Sequence, residues 1–254
     1  MPNEIQNEYN LKFKEFFKEG LKKYKRIIYD PYAPSIKFAF PKIFFNSGIK
    51  RRCLSFLSGK IKVHEGSCEY RTIFKICKRI SKTEGKIKIL DIGCADCDLA
   101  DYLENGHGLK IDYYGVDISS NCKEYPITKT INEVETKDFD IIVMTHVAEH
   151  LKLDDYIENY QKKLVEKLKS NGYFIFAVPN PLNIKNNFCD MTHVQTFPWY
   201  EAYALLRFSF SKVDVLRVEN LSNLFNIVFL PLRMFACRLV YLDTAETLFF
   251  ICRK

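Results

Sequence analysis

Residues 87–101 read Ile-Lys-Ile-Leu-Asp-Ile-Gly-Cys-Ala-Asp-Cys-Asp-Leu-Ala-Asp. The run from Ile87 to Ile92 is apolar and rich in β-branched residues, Gly93 makes a tight turn, and a helical pattern starts at about Asp98. A strand–loop–helix of this kind holds a nucleotide-like ligand at the carboxyl end of the strand. Gly93 lets backbone approach such a ligand where a side chain would block it. Asp91 sits at the strand tip, where a carboxylate meets a ligand's cationic group.

A second run, Ile111-Asp-Tyr-Tyr-Gly-Val-Asp117, also ends in an acid. An acid at the tip of the second strand suits hydrogen bonds to ribose hydroxyls. A dinucleotide-binding reading needs G-x-G-x-x-G, and Gly93-Cys94-Ala95-Asp96-Cys97-Asp98 offers only its first glycine. The pair of motifs instead resembles the class I S-adenosylmethionine-dependent methyltransferases, whose first motif is hydrophobic-L-D-hydrophobic-G-x-G-x-G. The resemblance covers roughly residues 85–220 and departs at Ala95 and Cys97, where glycines are usual. Ala95 is expected to cost little there, and Cys97 to be the first helical residue. The resemblance implies S-adenosylmethionine as cofactor and S-adenosylhomocysteine as product. Asp91, Gly93, Cys94, Ala95 and Asp96 would hold the methionine part, Asp117 the ribose, and Ile118 would flank adenine. Thr145, closing the fourth strand, joins this cofactor-binding set.

At 254 residues the chain is one large domain, or one domain with an appendage, and 47% hydrophobic residues suffice for a full core. Met1 to Glu8 lacks the basic start and apolar core of a signal peptide. The longest apolar stretch, Leu224 to Val240, is interrupted by Pro231, Arg233 and Arg238, so no transmembrane segment is expected. Nine cysteines without regular spacing argue for free thiols in a reducing, cytoplasmic setting. Cys94-x-x-Cys97 has no second such pair to complete a zinc site. Charge is uneven. Residues 1–87 hold 20 Lys/Arg against 8 Asp/Glu, and the remainder is net acidic. The basic part is thus an N-terminal feature, either a solvated helical face or a surface that steers anionic substrates. We place a boundary near residue 68, separating a basic, aromatic-rich extension (1–68) from the methyltransferase domain (69–254).

Helical spacing is expected over 8–27 and 69–82. Strands then alternate with helices: strands at about 87–92, 110–117, 126–129, 139–145 and 172–178, helices at about 98–105, 120–124, 147–169 and 198–208. This is the pattern of a parallel α/β sheet. Residues 211–218 and 246–252 read as a closing strand pair. The fold class is therefore α/β and Rossmann-like. In the resembled family the sheet is mostly parallel and seven-stranded, with an antiparallel last strand. Residues 221–242 read as a lid, a homodimer surface or plain core.

The chemistry follows the fourth strand, at His146-Val-Ala-Glu149-His150. On a helix, positions i, i+3 and i+4 share a face, so these three would converge beside the cofactor. Asp190-Met-Thr-His193 follows the fifth strand and reaches the same edge. His146, Glu149, His150 and His193 make a divalent-metal set with open positions. H-x-x-E-H also matches a metallopeptidase pattern, which leaves the upstream motifs unexplained. Many of the resembled methyltransferases carry E-H-L and D-x-T-H-x-x-x-F at these places, matching Glu149-His150-Leu151 and Asp190 to Phe197. The metal-dependent members read E-x-x-E-H, so His146 stands where the first glutamate would, which favours manganese, iron or zinc over magnesium. Without metal, His146, His150 or His193 is the candidate general base.

The reading is an S-adenosylmethionine-dependent O-methyltransferase acting on a small anionic or nucleotide-linked acceptor. By resemblance, that acceptor is a capsule or cell-surface polysaccharide precursor, a phosphoramidate precursor included. Two alternatives stand beside it. One is a metal-dependent RNA 3′-end 2′-O-methyltransferase, for which no nucleic-acid-binding module is recognisable. The other is a non-catalytic binding protein of the same fold.

Overall fold

A computed structural model describes residues 68–120, 122–183, 191–218 and 245–254, with Lys12, Glu15, Phe16, Lys18, Glu19 and Leu232 in addition. Expectations for 28–66 and 221–242 fall outside the described residues, Leu232 excepted, as does Asp190.

The chain order is α1 (Cys68–Glu84), β1 (Ile87–Ile92), α2 (Asp98–Glu104), β2 (Ile111–Val116), β3 (Ile127–Thr128), β4 (Phe139–Thr145), α3 (Leu153–Asp155), α4 (Lys162–Lys167), β5 (Leu168–Pro179), α5 (Trp199–Arg207), β6 (Lys212–Val218) and β7 (Thr247–Arg253). The strands form one seven-stranded sheet in the order β3-β2-β1-β4-β5-β7-β6. β1 to β5 run parallel, and β7 lies antiparallel between β5 and β6. The strand order reverses direction beside β1, and such a switch point opens a ligand crevice at the carboxyl edge.

Both faces of the sheet are covered, which explains why its central strands read as continuous apolar runs. Ile141 and Val143 of β4 pack with Ile89, Leu99 and Leu103 under α1 and α2. Ile142 and Met144 point the other way, into a cluster with Phe174, Phe176, Tyr156, Tyr203 and Leu206. At the N-terminus, the described residues between 12 and 19 are helical and dock on α5. Tyr203 donates its hydroxyl to Glu19 (2.8 Å), Arg207 Nε lies 3.3 Å from the same carboxylate, and Phe16 meets Phe208 edge-on.

Three expectations need correction. The described residues of 120–124 form no helix. Asp117 captures the Ser119 N–H and hydroxyl, and Ser120 Oγ accepts from the Cys122 N–H, so side chains compete with helical bonding. The helix expected over 147–169 is split into a 3-10 turn at Ala148–His150, α3, a π-helical stretch at Tyr156–Gln161, and α4. Its start is delayed because the His146 N–H, just past β4, is still held by β5, donating to Ala177 O (2.9 Å). β5 begins at Leu168, four residues earlier than expected.

Candidate active site at the carboxyl edge of the sheet

The loop after β1 is built from unusual backbone. Gly93 (φ +76), Ala95 (φ 43) and Cys97 (φ 62) all lie in the left-handed region. Glycine adopts it freely, whereas a side chain costs roughly 1–2 kcal/mol per residue. The expectations for Ala95 and Cys97 are corrected accordingly. Ala95 is strained, and Cys97 is not helical but the left-handed residue preceding α2. At Gly93 an added Cβ would lie 2.1 Å from Val147 Cγ2, so the glycine makes room for the loop after β4 to pack down.

Asp91 is buried at the tip of β1 and accepts a hydrogen bond from the Tyr113 hydroxyl (2.6 Å). Burial pushes its carboxyl up to about 7, against the opposing effect of that hydrogen bond, and the nearby Asp117 charge adds to the rise. Among the described residues no cationic side chain is paired with it. Asp117 is the opposite case. Burial works against its charge, but the N–H groups of Ser119 (2.7 Å) and Ala95 (2.9 Å) and the Ser119 hydroxyl outweigh it and hold it below the usual range. It therefore ties the β1 loop to the tip of β2. Ile118 beside it is 82% exposed, an apolar side chain left bare at the crevice mouth. Cys94 is buried with its sulfur against Gly115, Asp96 is exposed, and Thr145 is half-buried at the end of β4.

Three residues after β4 and β5 form the second half of the site. Glu149, His150 and His193 each bring a ligand atom within 4.8 Å of the others. Glu149 is 2% exposed, and neither carboxylate oxygen receives a hydrogen bond among the described residues. Its cationic partner among the described residues is the His146 imidazole, 3.4 Å from Oε1, which leaves Oε2 open, and this donor set fits a divalent metal. The Glu149 carbonyl accepts from Val194 N (2.9 Å) and Gln195 N (3.2 Å), which fastens the His193 loop to the turn carrying Glu149. His150 Nδ1 lies 3.1 Å from Thr192 Oγ1, and its ring meets His193 edge-on at 4.9 Å. Glu149 and His193 line a small cleft, open to solvent, with Val178, Gln195 and Phe197.

His146 is not brought into that group. Its backbone is left-handed (φ 57), and it precedes the 3-10 turn rather than sharing a helical face with Glu149 and His150. Its Nε2 lies 3.2 Å from Glu69 Oε1 and its Nδ1 3.4 Å from Glu149 Oε1. Burial alone would push the imidazole down, but the two carboxylates hold it up at about 10. Glu69, in the first turn of α1, and Tyr113 were not anticipated. Neither stands in a motif, and only the packing of α1 and the pairing of β1 with β2 bring them to the site.

A family profile described as a methyltransferase domain matches residues 64–226. A solved structure of an S-adenosylmethionine-dependent methyltransferase from Archaeoglobus fulgidus is similar, with 19% identity and a TM-score of 0.54 over 73% of this chain and 94% of that one. A second is the 1,6-didemethyltoxoflavin-N1-methyltransferase of Burkholderia thailandensis, with 16% identity and a TM-score of 0.49 over 81% of this chain and 86% of that one. Among curated proteins none matches the sequence. Sheet order, strand directions and the family match agree: the chain belongs to the methyltransferase-domain family and is a class I S-adenosylmethionine-dependent methyltransferase.

Proposed function

We propose an O-methyltransferase that holds a divalent cation with Glu149, His150 and His193 and methylates a hydroxyl of a small anionic acceptor, such as a nucleotide-linked sugar or another surface-polysaccharide precursor. The observation that carries this reading is the buried Glu149 carboxylate, its Oε2 without a hydrogen-bond donor among the described residues, gathered with two imidazoles. S-adenosylmethionine, when bound, would supply an electrophilic methyl group on a sulfonium, and a divalent cation held by Glu149, His150 and His193 would stabilise an acceptor alkoxide. Asp91 receives the cofactor's cationic end, the carboxylate-tied loop at Ala95 shapes its seat, and Ile118 packs on adenine. His146, with both ring nitrogens facing carboxylates, positions Glu149 rather than moving a proton. The basic N-terminal segment supports an acceptor bearing phosphates.

The test is methyl transfer from labelled cofactor to nucleotide-sugars and to short RNA, with and without chelation, alongside calorimetric titration of manganese and zinc. Transfer to nucleotide-sugars should fall about tenfold or more on chelation or in His150→Ala, with cofactor affinity retained. Full turnover after verified metal removal rejects the metal. Transfer to RNA alone rejects the acceptor class.

A further inference from the structure

Helix α1 carries five cations, Arg71, Lys75, Lys78, Arg79 and Lys82, against two carboxylates, Glu69 and Glu84. At 3.6 residues per turn the five cations fall within about 100° of arc and follow the helix for about 16 Å. All five are exposed. The opposite face of α1, with Ile73, Ile76 and Cys77, is buried against the sheet. The two carboxylates do not offset the stripe, because Glu69 is buried facing His146 and Glu84 pairs with Lys169. On the neighbouring α2, Asp101 accepts from the Asn105 amide and Glu104 from the Tyr125 hydroxyl, while Asp98 is exposed in the first turn. Among the described residues none of the five cations is in an ion pair. Arg71 and Lys75, Lys75 and Arg79, and Lys78 and Lys82 are moreover like charges at i and i+4, which destabilise a helix. An anionic partner laid along the stripe relieves that repulsion.

We propose that the cationic stripe of α1 is a docking surface for an anionic phospholipid bilayer, on which the protein rests peripherally with α1 along the membrane plane. The stripe is straight and convex, so a flat anionic surface meets all five cations at once. Clusters of about four to eight Lys/Arg on a helix attract anionic lipid headgroups in this way. A single-stranded nucleic acid instead needs open aromatic faces for its bases. Phe74, the ring bordering the stripe, is stacked on His107 (4.0 Å, 22°) and lies under Lys78 Nζ (5.6 Å). It therefore offers no open face for a base.

The apolar face of α1 is already used by the core, so the helix does not insert into lipid. No described helix is long and apolar enough to cross a membrane. Attachment is therefore electrostatic and weakens as salt rises. The stripe begins two residues after Glu69, whose carboxylate lies 3.2 Å from His146 at the carboxyl edge of the sheet. Docking along α1 thus holds the rim of the site beside the headgroup layer, where a membrane-attached anionic acceptor is presented. The docking itself does not depend on the metal or on the acceptor reading.

The experiment floats the full chain with vesicles of mixed phosphatidylglycerol and phosphatidylcholine, and with vesicles of phosphatidylcholine alone, at low and high salt. The parent should bind the mixed vesicles at low salt, leave them at high salt, and ignore phosphatidylcholine. Lys75→Glu with Lys82→Glu should lower partitioning about tenfold or more. Lys162→Glu with Lys163→Glu makes the same change of net charge on α4, which packs through Leu164 on the other face of the sheet. That variant should lose about threefold or less. Because the α1 substitutions remove like-charge pairs, the α1 variant should unfold at no less urea than the parent. Should it fail to fold, Lys75→Gln with Lys82→Gln carries the same comparison. No binding of mixed vesicles by the parent, equal loss in the α1 and α4 variants, or undiminished binding in the α1 variant overturns the proposal. Tighter, α1-dependent binding of a short RNA overturns it in favour of a nucleic acid.

Discussion

Asp91→Asn should stabilise the ligand-free protein in alkaline solution and weaken its hold on the cofactor. The side chain is buried, its carboxyl sits near 7 instead of 3.8, and burial is the main cause. Between those values the folded state binds more protons than the unfolded chain, so stability falls as pH rises. The full penalty is about 4 kcal/mol near pH 8, of which roughly 2.5 kcal/mol accrues between about pH 5 and pH 8. Asparagine keeps an oxygen for the Tyr113 hydroxyl and removes the charge, at a cost of about 1–2 kcal/mol for a new, unpaired amide. The variant should thus gain about 2 kcal/mol over the parent near pH 8 and lose its advantage near pH 5. Urea unfolding at both pH values measures this. Calorimetry with S-adenosylhomocysteine gives the second readout. Parent affinity should climb through neutrality as Asp91 ionises to meet the ligand's ammonium, and the variant's should stay flat and weaker. A stability difference that does not change with pH would refute the buried-carboxylate argument. A parallel pH profile in both proteins would show that Asp91 does not face the ligand.

Gly93→Ala should cost about 2–4 kcal/mol, from left-handed strain plus overpacking against Val147, and adding Val147→Ala should recover the packing part in a double-mutant unfolding cycle. No recovery would mean that Val147 is not the obstacle. Ala95→Gly relieves a strained, exposed position and should raise the urea midpoint by about 0.5 kcal/mol equivalent, the strain relief exceeding glycine's entropy cost. A lower midpoint would place the conformation elsewhere. Glu149→Gln should abolish manganese and zinc binding in titration while leaving S-adenosylhomocysteine affinity within about twofold. Retained metal binding would remove Glu149 from the ligand set.

What could be read along the chain was whatever depends on near neighbours. Strand periodicity at Ile87–Ile92 and Ile111–Val116 is a two-residue property, and the acids that end these runs stand at strand tips by counting alone. Alternation at 211–218 and 246–252 likewise marks the closing strand pair, found at 212–218 and 247–253, whereas its antiparallel direction was implied only by the family resemblance. The site's second half was legible only as a list of donors. Helical spacing wrongly placed His146 on one face with Glu149 and His150. Its N–H in fact pairs with Ala177, 31 residues away, its backbone is left-handed, and the turn starts only after it. Glu69 meets His146 across 77 residues, and the His193 loop is fastened by the Glu149 carbonyl. Local pattern determines which residues can end a strand or start a turn. Which carboxylate is buried, and what faces it, depends on long-range packing of α1, β5 and the loop after it, and only the tertiary structure decides that.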